Sequence, residues 1–240
     1  MEDELGTCPF CAGREDRTPP ETLRIGDPWQ VRVVPNLYPA LERQEVVVHV
    51  PDHRRSLAEL TDDELARVAE AWAHRAVAAR AEGFPYVHAL VNEGRAAGSS
   101  LPHTHSQLVW LREPPPVAAA ERDCSQLLEG GAVLERDGVV LLCPPASWTP
   151  YQMLVAPAQP EADAFASARL ATALALAAEG VRRLRSLEPE AAVNVWLHDV
   201  AWWHLEVAPR LSVFAGLELG AGIFVNTLDP DEAARRLRRA

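Results

Sequence analysis

Residues 92–110 read NEGRAAGSSLPHTHSQLVW, and this stretch decides how the rest of the chain is interpreted. Its end enters an apolar segment that is typical of a β-strand. Side chains alternate between the two faces of a strand, so His103, His105 and Gln107 are expected on one face. Polar residues at that period also occur on solvated strand faces. Two histidines and a glutamine after an approach rich in Asn, Gly and Ser favour a functional site.

The residue types in this run suit phosphoryl chemistry. A neutral imidazole is a good nucleophile towards phosphorus when an acceptor holds its other nitrogen. The small loop before it offers serine hydroxyls and backbone N–H groups that could cradle phosphates. Gln107 can hydrogen-bond a phosphoryl oxygen, or the phosphorylated imidazole, without changing the charge.

A second pattern, Cys8-Pro9-Phe10-Cys11, is typical of a metal site. A gap of two residues lets both sulfurs reach one zinc ion, and a closed tetrahedral site needs two more ligands. His53 and His103 are the best candidates for these. A redox role would require a thioredoxin-like βαβ context, which the sequence lacks. Cys124 and Cys143 have no motif around them and are interpreted as ordinary buried or surface cysteines.

Hydrophobic patterning predicts an α+β fold built from a duplicated unit. The order strand, strand, long helix, strand, strand occurs twice, and VVVHVPDH and HTHSQLV are echoed by QMLVAPAQP and WHLEVA. Coincidence between two mixed segments is the alternative. We expect units at 1–125 and 126–240.

The predicted strands are 31–34, 45–50, 86–91, 108–111, 139–143, 153–157, 192–197 and 204–208, and the predicted helices are 61–81, 117–128, 166–187 and one from Asp229. Thr61 and Glu64 predict a capping box at the first helix.

Composition restricts the class of protein. The chain has 240 residues and a net charge of −11, which argues against a duplex nucleic-acid partner. No run of about 18 apolar residues is present, so no membrane span is expected. The N-terminus lacks the pattern of a signal peptide, so a cytoplasmic location is expected.

Several stretches together resemble galactose-1-phosphate uridylyltransferase, a branch of the histidine triad superfamily. They are CPFCAG, VVPNLYPAL, VPDHRRSLAEL, NEGRAAGSSLPHTHSQLVW and HLEVAPRLSVFAGLELGAGIFVN, in the family's order. The resemblance implies two tandem histidine-triad-like units, each an antiparallel sheet with helices packed on it. It also implies zinc on Cys8, Cys11, His53 and His103.

The resemblance implies a ping-pong reaction at the second histidine of the family's His-Pro-His-x-Gln run. That histidine is His105, with Thr104 in place of the proline. His105 would take UMP from UDP-glucose, release glucose 1-phosphate, and pass UMP to galactose 1-phosphate. Gln107 would support the covalent intermediate. A leaving sugar phosphate is already a stable anion, so no acid is required there.

The resemblance also implies further binding residues. Nucleotide contacts fall on Asn36, Asn92, Gly98, Ser99 and Ser100, and a sugar contact falls on Glu218; several of these are also ordinary turn residues. A second metal, iron or zinc, falls on Glu121, His198, His204 and Glu206, with Glu206 where relatives have histidine; a polar strand pair is the alternative. A homodimer is expected, because relatives build the active site across one.

Other functions fit the same scaffold. An ADP-sugar or diadenosine-polyphosphate phosphorylase would use phosphate as the acceptor. A non-catalytic nucleotide-binding relative would not need His105 and Gln107. A nucleotide hydrolase would have a third histidine where Gln107 stands, so the glutamine argues against hydrolysis.

Overall fold

The structure is a computed structural model that describes residues 6–121 and 129–240. Ten strands form one sheet: β1 (Leu23–Ile25), β2 (Val31–Pro35), β3 (Arg43–Val48), β4 (Tyr86–Glu93), β5 (His105–Leu111), β6 (Gly131–Arg136), β7 (Val139–Cys143), β8 (Met153–Pro157), β9 (Val193–His198) and β10 (His204–Pro209). The described residues also form the helices α1 (Asp62–Ala81), α2 (Pro116–Ala120), α3 (Leu170–Leu187), α4 (Gly216–Ala221) and α5 (Pro230–Arg239).

The sheet repeats one strand order in its two halves. The order across it is β1-β2-β3-β5-β4-β9-β10-β8-β7-β6, and the described neighbours pair antiparallel. The first half therefore runs β1-β2-β3-β5-β4, and the second half, from its own edge, runs β6-β7-β8-β10-β9. The two halves join where β4 pairs with β9. The predicted α+β class and the tandem units are confirmed, and their strands form one continuous sheet.

The two long helices cover one face of the sheet. Val47, Leu108 and Val195 on that face belong to a single buried core that also contains Trp72 of α1 and Leu174 of α3. Burying such side chains stabilises the fold by roughly 1.5 to 3 kcal/mol each. The opposite face carries the polar residues of the sequence motifs.

Helix α1 begins and ends as the sequence predicts. The Thr61 side chain accepts a hydrogen bond from the Glu64 N–H at 3.3 Å, and Glu64 accepts one from the Thr61 N–H at 2.8 Å. This satisfies two backbone donors that a helix start leaves free. The chain leaves the helix at Gly83, whose φ of +85° suits a residue without a Cβ.

Several predicted boundaries were wrong. β5 begins at His105 instead of Leu108, and α3 begins at Leu170 instead of Ala166. The latter shift arises because Asp163 caps a separate 3-10 turn at Ala164–Ala166. The sequence did not predict the edge strands β1 and β6. Residues 122–128 lie outside the described part, and with them Cys124, the end of the helix predicted at 117–128 and the unit boundary at 125/126. None of the described helices is long and apolar enough to cross a membrane.

Candidate active site

His105 lies on the open face of the sheet, at the first residue of β5. Its Nδ1–H donates to the His103 carbonyl oxygen at 2.7 Å, because a carbonyl can only accept. The Nε2 atom therefore carries the lone pair. Burial lowers the pKa of His105 below its ordinary value, and the bond to the carbonyl offsets part of that effect. The side chain is thus a neutral imidazole with a fixed tautomer, which is the form a nucleophile requires.

Gln107 lies two residues further along the same face, as predicted. The Gln44 amide Nε2 donates to its Oε1, so the Gln107 amide N–H groups remain available to an oxygen on the open face. In the sheet, Gln107 pairs with Val46 of β3 and Leu90 of β4. The result is a neutral donor beside the predicted nucleophile, His105.

His103 lies before the strand and belongs to a different group from His105. Its Nδ1 is 3.4 Å from the Cys8 sulfur and 3.7 Å from that of Cys11, and His53 Nδ1 is 3.4 Å from Cys11. The four ligand atoms lie within 4.8 Å of one another. Tetrahedral zinc with bonds of about 2.0 to 2.3 Å separates its ligands by distances of this size.

The surroundings of this cluster suit a cation. The Nε2 atom of His103 donates to the Val50 carbonyl oxygen at 2.9 Å, which fixes the tautomer that leaves Nδ1 free to bind a metal. Burial and the neighbouring Cys8 thiol raise the pKa of Cys11 to about 11. Thiolates at this place therefore need a positive ion to stabilise them. The spacing-based grouping of Cys8, Cys11, His53 and His103 fits zinc.

The loop between β4 and His103 begins with a tight turn at Gly94. Gly94 and Gly98 both have positive φ, and the Ala97 and Ser99 N–H groups donate to the Gly94 carbonyl oxygen. The Ser99 hydroxyl donates to the Leu101 carbonyl oxygen at 2.8 Å. The backbone conformation alone therefore favours glycine at position 98, whether or not Gly98 contacts a ligand.

A buried ion pair fixes the start of this loop. Glu93 is 3% exposed and accepts from Arg185 at 2.9 Å. It also accepts from the Ser56 hydroxyl at 2.7 Å and the Leu57 N–H at 2.6 Å. The pair connects α3, the end of β4 and the segment that follows His53.

Asn92 has a partner that sequence reasoning missed. It pairs with Asn194 across the junction of the two halves, and the Asn194 amide donates to Asn92 Oδ1 and to the Ala97 carbonyl oxygen, both at 2.8 Å. Val91 pairs with Ser106, so Asn92 stands beside His105 on the open face. With its Oδ1 occupied, Asn92 presents N–H donors to a ligand.

Comparison with known proteins adds to this geometry. The family model described as "Galactose-1-phosphate uridyl transferase, N-terminal domain" matches residues 39–115, which include the His105 and Gln107 positions. Over this segment the chain is similar to the galactose-1-phosphate uridylyltransferase family. This confirms the resemblance and the general class, a nucleotidyltransferase.

Individual relatives are similar to this chain over nearly its whole length. An ADP-glucose phosphorylase of Arabidopsis thaliana is 24% identical over 97% of this chain and 81% of its own length. The galactose-1-phosphate uridylyltransferase of Thermotoga maritima is 22% identical over 96% of this chain and 88% of its own. The crystal structure of the Arabidopsis ADP-glucose phosphorylase with bound ADP-glucose has a TM-score of 0.89 at 22% identity, covering 98% of this chain and 91% of that one. At this identity the structural likeness shows the shared fold.

Two residues predicted from the family resemblance stand apart from His105. Asn36 follows β2, where its Oδ1 accepts from the Tyr38 N–H at 3.0 Å in an Asx turn. Glu218 lies in α4 and accepts from the Ala215 N–H at 2.8 Å. In the described part of the chain, no hydrogen bond of either side chain reaches His105 or Gln107. Ser100 lines a cavity of about 480 Å³ next to Arg95.

The residues predicted for a second metal in the family do come together. Glu121 Oε1 is 2.9 Å from His198 Nδ1, and Glu121 Oε2 is 3.7 Å from His204 Nε2. Glu206 Oε1 is 3.7 Å from His198 Nδ1, and the four ligand atoms lie within 4.8 Å of one another. Burial raises the pKa of the Glu206 carboxyl.

This second cluster occupies the place in the second half that His105 and Gln107 occupy in the first. Glu206 pairs with Leu154 and Trp196 as Gln107 pairs with Val46 and Leu90. His204 precedes Glu206 by two residues, and its Nδ1 donates to the carbonyl of Trp202, two residues before it, at 3.1 Å. The Gln152 amide donates to Glu206 at 2.9 Å, as Gln44 donates to Gln107. The backbone frame is therefore the same, while Glu206 is an acceptor and Gln107 a donor.

Proposed function

We propose that this chain transfers a nucleoside monophosphate from a nucleotide sugar to a phosphate-bearing acceptor through a covalent intermediate on His105. The observation that carries the proposal is the hydrogen bond from His105 Nδ1 to the His103 carbonyl oxygen. It leaves Nε2 as the only ring nitrogen with a lone pair. The match of residues 39–115 to the uridyl transferase family model supports the same class of reaction.

The first half-reaction makes one bond and breaks one. Nε2 attacks the α-phosphorus of the donor, an N–P bond forms, and the bond from phosphorus to the bridging oxygen breaks. That oxygen leaves with the electron pair as part of the hexose 1-phosphate. The Nδ1 proton stays in place, so the ring becomes a cation that the His103 carbonyl stabilises.

The second half-reaction reverses these changes. An oxygen of the acceptor phosphate attacks the same phosphorus, and the N–P bond breaks towards the ring, which becomes neutral again. The Gln107 amide and the Asn92 amide supply donors without positive charge to the phosphoryl oxygens. Neither half-reaction requires an acid, because both leaving groups are already stable.

Cys8, Cys11, His53 and His103 would hold zinc. Bound there, zinc would supply structural cross-linking and orientation, since all four ligand positions are filled by protein. His103 would have two roles: its ring would bind zinc, and its carbonyl oxygen orients His105. The metal cluster and the nucleophile thus share one residue.

Two donors are candidates. The sequence predicts UDP-glucose with galactose 1-phosphate as the acceptor. The similarity to an ADP-glucose phosphorylase, which extends over 97% of this chain, favours ADP-glucose with inorganic phosphate as the second candidate. Both reactions would pass through a nucleoside monophosphate bound to His105, and they differ in the base of that nucleotide and in the acceptor.

A label-transfer experiment tests the proposal. The protein is mixed with UDP-glucose or ADP-glucose, each radiolabelled in the α-phosphate, and denatured after a short time. We expect label on wild-type protein that is stable to base and labile to acid, as a phosphoramidate is. His105→Ala should carry none, whereas His74→Ala, at an exposed histidine of α1, should label normally.

The acceptor is identified by a chase. Galactose 1-phosphate should release the label as UDP-galactose from a uridylylated protein, and inorganic phosphate should release it as ADP from an adenylylated one. Release by water alone would indicate a hydrolase. Equal labelling of His105→Ala and wild type would rule out the mechanism.

A further inference from the structure

Thr104 stands between the zinc ligand His103 and the nucleophile His105, and its own groups are fully engaged. Its N–H donates to the Arg54 carbonyl oxygen at 2.7 Å. Its hydroxyl shares a hydrogen bond of 3.0 Å with His49 Nδ1, and its carbonyl oxygen accepts from the His49 N–H at 3.4 Å.

These bonds determine where the His103 carbonyl points. The His103 carbonyl and the Thr104 N–H belong to one planar trans peptide and point in opposite directions. Holding the N–H on the Arg54 oxygen therefore aims the carbonyl at the other side, where His105 Nδ1 donates to it. His49 holds Thr104 in this arrangement through two further bonds, one between its ring and the Thr104 hydroxyl and one from its N–H to the Thr104 carbonyl oxygen.

We propose that His49 and Thr104 form a positioning pair that sets the orientation of the His105 imidazole for attack on the α-phosphorus. The inference rests on the proposed function. Neither residue touches the open face directly: Thr104 is 2% exposed and His49 is completely buried. They act through the peptide bonds on either side of Thr104.

The polar side chains of His49 and Thr104 indicate a role beyond packing. His49 Nε2 is buried with no hydrogen-bond partner in the described structure, and such an atom costs free energy. Burial lowers the pKa of His49 well below its usual value, so the ring is neutral and its bond to Thr104 is an ordinary neutral one. A valine and a phenylalanine would fill the same space without that cost. A pair kept only for stability has no need of the imidazole.

The test compares isosteric variants in a single-turnover label-transfer assay. Thr104→Val keeps the shape and removes the hydroxyl, and Thr104→Ser keeps the hydroxyl. We expect Thr104→Val to slow labelling about 10- to 100-fold at saturating donor, the range seen when a supporting hydrogen bond of a reactive group is lost. Thr104→Ser should stay within about threefold of wild type, and the zinc content of both should equal that of wild type.

A matched control and a double variant separate positioning from stability. Thr149 is buried to the same extent, at 2% exposed, and its hydroxyl donates to the Pro209 carbonyl oxygen. Thr149→Val should lower the unfolding midpoint without slowing labelling. His49→Phe should slow labelling as Thr104→Val does, and the double variant should be no slower than either single variant, because both remove the same bond.

The outcomes are distinct. Labelling of Thr104→Val at the wild-type rate would overturn the positioning role, and so would a loss of rate that follows a loss of zinc. Should Thr104→Val fail to fold, His49→Phe carries the same comparison. An absence of label on wild-type protein would instead contradict the proposed function.

Discussion

At the scale of single residues, burial sets the protonation state of the imidazoles. His105, His49 and His204 all have pKa values below the ordinary one because the charged ring loses its hydration. A hydrogen bond to a carbonyl then selects the tautomer of His105 and of His204. The same two steps give the proposed nucleophile in one half and a metal-binding candidate in the other, and the residue two positions further along differs, being Gln107 in the first half and Glu206 in the second.

His88 allows this effect of burial to be measured as stability. Its Nδ1 is buried with no partner in the described structure, and burial, with a smaller contribution from His198, lowers its pKa to about 4. The unfolded chain has the ordinary pKa of about 6.5, so on acidification it binds a proton before the folded protein does. Stability is therefore lost as the pH falls from about 6.5 to about 4, by at most about 3 kcal/mol from this group.

Substituting His88→Leu should remove that loss. Between pH 7.5 and pH 5.0, the free energy of unfolding from urea titrations should fall less in the variant than in wild type, by about 2 kcal/mol. Val109→Leu, a non-titrating change in the same cavity, should alter stability equally at both pH values. Equal pH dependence in His88→Leu and wild type would show that His88 does not titrate as its burial implies.

At the scale of elements, the long periodic segments were predictable and the site strand was less so. Thr61 and Glu64 mark the start of α1 in the sequence, and the structure has the same capping box. The start of β5 was missed because His105, Ser106 and Gln107 are not among the residue types that favour strands. His105 joins the sheet because β3 and β4 flank it on both sides, which is a tertiary effect.

Partners from distant strands were the part of the site that could not be predicted. Asn194 reaches Asn92 across 102 positions of sequence, and Gln44 reaches Gln107 across 63. Only the register of the sheet brings such residues together. An alignment of the two halves, strand by strand, would show Gln44 and Gln152 at equivalent positions, but it would not show their partners.

The second cluster, formed by α2's C-terminal end, β9 and β10, should bind a metal of its own. Two carboxylates and two imidazoles suit iron or zinc, and Glu121 and Glu206 supply negative charge as oxygen ligands, where the first centre would use the thiolates of Cys8 and Cys11. We expect purified protein to contain two metal equivalents by mass spectrometry. Cys8→Ser should lose one and Glu206→Ala the other, while Glu232→Ala, at a half-buried position of α5 that is paired with Arg236, should lose neither. Unchanged metal content in Glu206→Ala would contradict a second site.

At the scale of the whole molecule, one surface segment exposes more apolar surface than is usual for a monomeric protein. Residues 211–225 carry exposed side chains that include Val213 at 92%, Leu219 at 77% and Val225 at 60%. A contiguous apolar surface of this kind marks an interaction site. The segment also contains Glu218, which the family resemblance assigns to sugar binding and which no hydrogen bond connects to His105 within the described chain. A second copy of the chain that brings this segment to the His105 face would account for both observations.

We therefore expect a homodimer, with a mass of about twice 26.3 kDa by light scattering after gel filtration. Val213→Asp and Leu219→Asp together should shift the protein to monomer, because a charged pair would have to be desolvated in the interface. Val77→Asp, at a side chain of α1 that is 66% exposed, should leave the dimer intact. If Glu218 acts across the dimer, the Val213→Asp/Leu219→Asp monomer, once labelled by the donor, should pass its label to the acceptor more slowly than wild type does. Each monomer still contains His105. A wild-type chain that is monomeric at assay concentration yet fully active would refute the shared site.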